Sequence, residues 1–397
     1  MNRIALKMLM GDSAKYIGLL LGITFTSFLV TFAVAYFSGM MTRSFALISE
    51  NPEVDVWVMD PAVRSVDHPF NLPDSALDRV KNVPGVVSAT PMIIGTIDAR
   101  FPNGRFQSVQ VIGVDDADLT GLPPLEEGID RNHLRLSGAC VADDGGTIGK
   151  LGTPIEAADQ WPHDGPHLDA ALRPLGAGDE LTVDDTLVRI MGRSNALPRF
   201  PPRPLLFTTN STARQILPPE RRRISYVLIQ ASEGTSAANL ATQIASETGL
   251  RARSSSDFKA DTLLWTLEHS EDVGDAVTML TIAMLVGFGV TGVMMFMFTT
   301  ENLKYYAVLN AMGATRSVLL RMLAVQTSVC AALGTGVGLG LCIIAGSFFQ
   351  ANTFPFLFLW FAPLVGILAV ILVCAVAALL SMRPVFKMEP ATILTGY

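Results

Sequence analysis

The residues best equipped for chemistry lie in the polar middle of the chain, and the first cluster is "DQWPHDGPHLD", residues 159–169. His163 and His167, with Asp159, Asp164 and Asp169, are suitable donors for zinc or another divalent ion. Gly165 and Pro166 stand between the two imidazoles and exclude a regular helix, so the spacing does not stack the rings on one face. The segment reads as a solvated loop. "GGTIGKL" (145–151) imitates a phosphate-cradling loop, but it is one residue short between its glycines. Leu151 also occupies the place of the hydroxyl that would hold the metal. Asp115-Asp116 reads as a solvated turn, and no Ser-His-Asp or G-x-S-x-G context occurs. "PERRRIS" (219–225) is a basic patch with two readings, surface ion pairing or contact with an acidic partner or lipid headgroup. No catalytic residue, metal site or cofactor is therefore expected, and nucleotide-driven work requires another chain.

The elements around these residues explain the shortage. Half of the 397 residues are hydrophobic, 16% are charged and the mean hydropathy is +0.39, a balance that belongs to membrane proteins. Residues 41–272 are strongly acidic and hold every histidine, while the rest of the chain is weakly basic. A spanning helix needs roughly 20 apolar residues. Uncharged runs of that kind cover Tyr16–Phe37 and Ala276–Thr300. Between Arg321 and Arg383 no residue is charged, and "FFQANTFPF" (348–356) divides that stretch in two. Four transmembrane helices are expected, at 16–38, 273–300, 318–349 and 355–381. The first is too long for the apolar core of a signal peptide and no small-residue cleavage site follows it. Lys and Arg flank the start of the first span, the connection at 301–317 and the tail at 382–397, but not the connection between the last two spans. By the positive-inside rule, the N-terminal segment 1–15, the connection and the tail are cytoplasmic and residues 39–272 extracytoplasmic. The four cysteines give no disulfide framework; Cys330, Cys342 and Cys374 lie in apolar runs and Cys140 is alone in the polar middle.

The expected fold is an α-helical membrane protein with a large α+β domain between its first two spans. In that domain "VDVWVM" (54–59) reads as a strand and "LPDSALDRVKNVPG" (72–85) as a short helix capped by Asp74 or Ser75. Two strands follow, joined by a turn at Asn103-Gly104. A related order returns as a strand at 223–232, a helix at 235–249 and a short strand after it. The ends thus form one split β-α-β lobe, interrupted at about 120–215 by an inserted β-rich lobe with a hairpin at Asp184-Asp185. "LPRFPPRPLLF" (197–207) reads as a proline-stiffened connector.

Within the spans, Gly18 and Gly22, Ala283 and Gly287, and Gly334 and Gly338 set small residues four apart, a spacing that lets helix backbones approach in lipid. The run "GTGVGLG" (334–340) also mimics a dinucleotide loop, but it lies at membrane depth with no strand before it. Outside the spans, "ENLKYYAVLNAMGATRS" (301–317) is a short amphipathic helix. Tyr305, Val308, Leu309 and Met312 fall at helical spacing as one apolar stripe, Glu301, Lys304 and Asn310 turn away, and Gly313 permits the reversal into the next span. Such a stripe suits a groove on a soluble partner, or a lipid surface.

This stretch resembles the segment after the second span of FtsX-like permeases, the MacB-type mechanotransmission family of ABC transporters, with similarity to its heterocyst glycolipid exporter branch. Glu301 matches the glutamate that opens the family's helix, and Leu309, Ala311, Gly313 and Ala314 match its L-x-A-x-G-A core. "ENLKYYAVL" replaces the more basic pattern of many members, while "VPGVVSATP" (83–91) and the tail "RPVFKMEPATIL" are family-like. The resemblance implies a permease subunit that docks a separate ATPase at 301–315, pairs with a second copy, and moves its outer domain to export a lipid-like or other amphiphilic substrate. It further implies a membrane-fusion adaptor, an outer-membrane channel and membrane lipids as partners, and no nucleic acid. Alternatives within the same fold are regulation of cell-wall hydrolases and lipoprotein release. Outside it, a membrane-anchored sensor or enzyme remains.

Overall fold

The computed structural model describes residues 13–155, 165–350 and 354–383. His163 and Asp164, the N-terminal basic residues Arg3 and Lys7, and the tail beyond Arg383 lie outside them. The chain divides into two compact units, one of residues Met41–Ser270 and one of Met1–Met40 with Glu271–Tyr397.

The first helix, α1, runs from Ser13 to Ser44 and is followed by a single turn, α2, at Ala46–Ser49. In the polar unit β1 (Val56–Met59) is buried along its whole length. Alternation explains it. Val56 and Val58 point into one core with Ala76, Val80, Leu240 and Ile244, while Trp57 and Met59 point into another with Tyr226, Leu228 and Phe258. The helices over the first face are α3 (Ser75–Lys81) and, later in the chain, α5 (Ala237–Thr248); the long strands β2 (Val86–Arg100) and β3 (Phe106–Val114) follow α3. Asp74 precedes α3 without capping it, because its carboxylate binds Arg214 at 3.1 Å.

Next come β4 (Ala139–Asp143), the small pair β5 (Gly152–Pro154) and β6 (Leu172–Pro174), then β7 (Glu180–Val183), β8 (Thr186–Arg193) and β9 (Leu205–Thr209). After α4 (Asn210–Ile216) the chain returns through β10 (Tyr226–Ala231), α5 (Ala237–Thr248), β11 (Arg251–Ser254) and α6 (Ser255–His269). Nine strands join in the order β11-β1-β10-β2-β3-β9-β4-β8-β7, and β7 also pairs with the far end of β2. Thus β2 serves two lobes. Its first half pairs with β10 in the split β-α-β lobe, and from Ile93 it pairs with β3 in a closed six-stranded ring. Fifteen residues at about 3.3 Å each are long enough for both tasks. The hairpin between β7 and β8 turns on Asp184 and Asp185, both with positive φ, the geometry that matches strand twist. The connector 197–207 is shorter than its composition suggested: after Pro204 the chain enters β9, which lies between β3 and β4.

Two ion pairs fix that connector. Arg199 binds Glu50 at 2.6 Å, both almost fully buried, and Arg203 binds Asp67 at 3.1 Å. Burial pushes both carboxyls above the usual range, against the pull of the arginines. Cys140 is buried in the ring core, where its thiol is pushed up to about 12.

The helical unit continues with α7 (Glu271–Glu301), α8 (Leu303–Ala311), α9 (Arg316–Gln350) and α10 (Phe361–Ser381). Four stretches are long and apolar enough to span a membrane: Tyr16–Ser44, Glu271–Glu301, Ser317–Phe349 and Phe361–Ser381. The last helix begins later than residue 355. Pro355 disfavours helix there, and Leu357 N–H donates to Ala35 O at 3.1 Å, which holds the extended segment against α1. Phe354, Phe356 and Phe358 pack with Phe28 and Phe32 beside it.

Alone of the four spans, α1 has more than half of its most apolar window buried, and close contacts with the other three explain it. Gly18 and Gly22 face Met294 and Val290 of α7, and Gly287 of α7 faces Thr26. Gly334 and Gly338 of α9 lie against Ile23, Thr24 and Ser27, while Gly366 of α10 faces Thr31. Thr26 and Thr291 add a 3.2 Å hydroxyl contact between α1 and α7. A β-carbon on Gly338 would come within 2.7 Å of both Ser27 Cβ and Thr24 O, whereas one on Gly340 meets nothing within 4 Å. Gly338→Val should therefore lose about 1–3 kcal/mol to overpacking, lowering the melting temperature in detergent, and Gly340→Val should leave it unchanged.

Candidate functional site

The segment between α7 and α9 is built by one asparagine and one glycine. Asn302 stops α7: its side-chain amide donates to Phe298 O at 2.8 Å. Its own carbonyl accepts from Tyr305 and Tyr306 N–H, which starts α8. The other end closes as a Schellman turn. Gly313, at φ +94°, donates to Asn310 O, and Ala314 donates to Leu309 O, both at 3.0 Å. Thr315 O then accepts from Val318 and Leu319 at the head of α9.

Between these stops, nine residues form two different faces. Tyr306 and Ala307 are fully buried, and Leu303, Leu309 and Ala314 pack beside them. They meet Leu19 of α1, Phe298 of α7, Leu319 and Leu323 of α9 and Cys374 of α10 in one apolar cluster. The Tyr306 hydroxyl donates to Gln326 Oε1 of α9 at 3.1 Å, and burial holds that hydroxyl up at about 12. On the opposite face Tyr305 is 61% exposed, Val308 41% and Met312 70%, with Glu301, Lys304 and Ala311 exposed around them. Leu309 therefore belongs to the inward face, and the outward apolar stripe is Tyr305, Val308 and Met312. The reason lies at the C-terminus, where the Schellman turn brings Leu309 onto Ala314 and the bundle. Lys304 lies one helical turn before Val308, and Glu301, the last residue of α7, is exposed as well.

Sequence reasoning did not single out Asn302, Tyr306 or Gln326. A signal for Tyr306 was present in its spacing from Leu303, three residues back, and from Leu309, three residues on. Gln326, a buried polar residue in the third span, could be matched to a partner only through the fold.

Among the described residues this surface brings no nucleophile onto a base and no carboxylates together; what it presents is apolar contact. A second feature of the helical unit is an apolar groove of about 890 Å³ along α1, α7 and α9, where Gly18 and Gly22 leave room between Phe25, Met294, Leu341 and Phe348. Among the described residues no three His, Cys, Asp or Glu side chains converge as metal ligands. His167 is described, and its backbone N–H donates to Asn103 O at 2.9 Å.

Comparison with known proteins now supplies a context. The family profile for the MacB-like periplasmic core domain matches residues 17–247, and that for the FtsX-like permease C-terminal region matches residues 277–390. No curated protein matches significantly. Among solved structures, the periplasmic region of MacB from Actinobacillus actinomycetemcomitans is 15% identical, with a TM-score of 0.35 over 55% of this chain and 94% of that one. The extracellular domain of the noncanonic ABC-type transporter YknZ from Gram-positive bacteria is 10% identical, with a TM-score of 0.31 over 51% of this chain and 98% of that one.

The two tyrosines of α8 make a direct test of its two faces. Tyr306→Ala should destabilise the detergent-solubilised protein by about 3–5 kcal/mol, as emptying a buried aromatic site does. Tyr305→Ala, on the exposed stripe, should change it by no more than about 0.5 kcal/mol, read in the same denaturation experiment.

Proposed function

This chain belongs to the family of ABC transporter permeases with a MacB-like periplasmic core domain and an FtsX-like C-terminal region, and on that footing we propose that it carries force between an ATPase and its own polar domain. The observation that supports this reading most strongly is the division of labour on α8. Its inward face is fixed by Tyr306 into a cluster fed by all four long helices, and its outward face presents Tyr305, Val308 and Met312 unpacked. A rigid short helix with an apolar stripe suits the groove of a soluble partner. In the proposed mechanism a separate ATPase subunit grips that stripe from the cytoplasm. Nucleotide-driven closure displaces α8, and the cluster around Tyr306 passes the displacement to the spans.

The same reading puts the chain in a bacterial inner membrane, with both termini cytoplasmic and residues 39–272 outside, as the Lys and Arg flanks suggest. A second copy of the permease completes the membrane part. A membrane-fusion adaptor and an outer-membrane channel carry the cargo onward. The apolar groove beside Gly18 and Gly22 supports a lipid-like or amphiphilic cargo, since its walls offer hydrocarbon contacts and hardly any polar ones.

Purification of the full chain from its native membranes tests the docking step. The wild-type chain should bring an ATPase with it, and Val308→Asp with Met312→Asp should reduce that co-purification at least about tenfold, since two charges then have to be desolvated in an apolar contact. Melting temperature of the variant should match wild type, because both residues are exposed. Retention of the ATPase at wild-type stoichiometry by the double variant would refute the docking surface.

A further inference from the structure

The polar unit contains a cavity of about 480 Å³ that the coupling mechanism does not use, within the size range of small-molecule sites. Its position follows from local constraints already described. Gly95 in β2 has no side chain, and a β-carbon there would strike Leu217 at 2.7 Å and Arg221 Cβ at 3.1 Å. The short turn at Pro219–Arg221 can therefore lie close over β2 and bring Arg221 to the cavity wall. Across from it, the proline-rich connector supplies Arg203, held at 3.1 Å on Asp67. Gln110 of β3 forms part of the wall between them, fixed through its backbone N–H on Pro204 O at 2.9 Å.

The chemistry of the wall is one-sided. Asp67 is the only carboxylate on it, and Arg203 already engages that group. Arg221 has no side-chain partner among the described residues. Gln110 is only 8% exposed, yet its side-chain amide also has no hydrogen-bond partner among the described residues. Its amide lines the cavity and is open to a ligand there. His68 lines the cavity, its ring tilted against Trp265 with centroids 4.5 Å apart, and Phe70 and Ile94 add an apolar patch. Cationic donors, the neutral amides of Gln110 and Asn71 and a hydrocarbon surface in a single cavity describe a receptor for an anion that carries an apolar body.

We propose that the cavity between Arg203, Arg221 and Gln110 binds a small organic anion, a phosphate or carboxylate headgroup attached to a short apolar portion. The basic run "PERRRIS" then has distinct tasks along its length. Arg221 faces the ligand, Arg222 is tied to Leu217 O at 2.6 Å, and exposed Arg223 lies off the cavity wall. The site is independent of docking at α8: loss of anion binding would leave the ATPase reading intact, and loss of ATPase docking would leave the anion site intact.

Isothermal titration of the full chain in neutral detergent tests it, with monobutyl phosphate, inorganic phosphate and butyltrimethylammonium as probes. Monobutyl phosphate should bind saturably and the ammonium probe should not. Arg221→Glu should weaken monobutyl phosphate by about tenfold or more, the loss expected for a charge-assisted hydrogen bond. Arg223→Glu, the same change of charge just outside the cavity, should alter affinity less than about twofold. Both arginines are exposed, so the fold survives either change, and matching melting temperatures verify that. Weaker binding of inorganic phosphate than of monobutyl phosphate supports the apolar portion of the ligand, and equal binding would overturn that part of the proposal. Absence of saturable binding by both anions, or equal losses from the two arginine variants, would overturn the site.

Discussion

Hydrocarbon tolerates neither charge nor unpaired backbone, and the helical unit is arranged around that constraint. Its long helices satisfy their own backbone hydrogen bonds, and charge is confined to their ends. With lipid outside and apolar side chains inside, little hydrophobic driving force remains to bring such helices together, so contact depends on backbone approach. The glycines provide it, with Gly287 and Gly366 meeting threonines and Gly334 and Gly338 meeting the backbone and short side chains of α1. The groove beside Gly18 and Gly22 offers hydrocarbon contact, and charged or hydrogen-bonding surfaces are found in the segments outside the spans.

Two such regions carry recognisable surfaces, and they differ in kind. The helix α8 is a small rigid plate: buried tyrosine inward, exposed tyrosine, valine and methionine outward. In the polar unit, charge does the positioning instead. Glu50–Arg199 and Asp67–Arg203 pin a proline-rich connector whose stiff backbone then enters β9. Removal of one partner from a buried pair of this kind leaves an uncompensated charge, so these pairs constrain the connector whatever their net contribution to stability. The same arginine that fixes the connector also faces the cavity, and fold and recognition share a residue there.

Much of this was legible in the residues, for reasons that can be named. Long uncharged runs and their basic flanks are strong signals, and the Asn103-Gly104 and Asp184-Asp185 turns follow directly from backbone preferences. The double role of β2 was hidden, because nothing in a 15-residue strand says where its partner changes. The late start of α10 was also hidden. Apolar composition continues through "FPFLFLW", and only the contact of this segment with α1 makes it extended. At α8 the helix and its glycine stop were readable, but Leu309 was assigned to the wrong face because periodicity alone cannot tell which side of a short helix meets the bundle. Arg221 was visible only as part of a basic patch, since Gln110 and Arg203, which share the cavity wall with it, are distant in sequence.

The proposed transmission of force requires α8 and the polar unit to lie on opposite sides of one membrane. Single cysteines at Met312 and Phe106, both exposed, give the most direct measurement, because the four native cysteines are buried. With a membrane-impermeant maleimide, the account predicts that Met312→Cys reacts only in inverted vesicles and Phe106→Cys only in right-side-out vesicles. Reaction of both positions from the same side would contradict it.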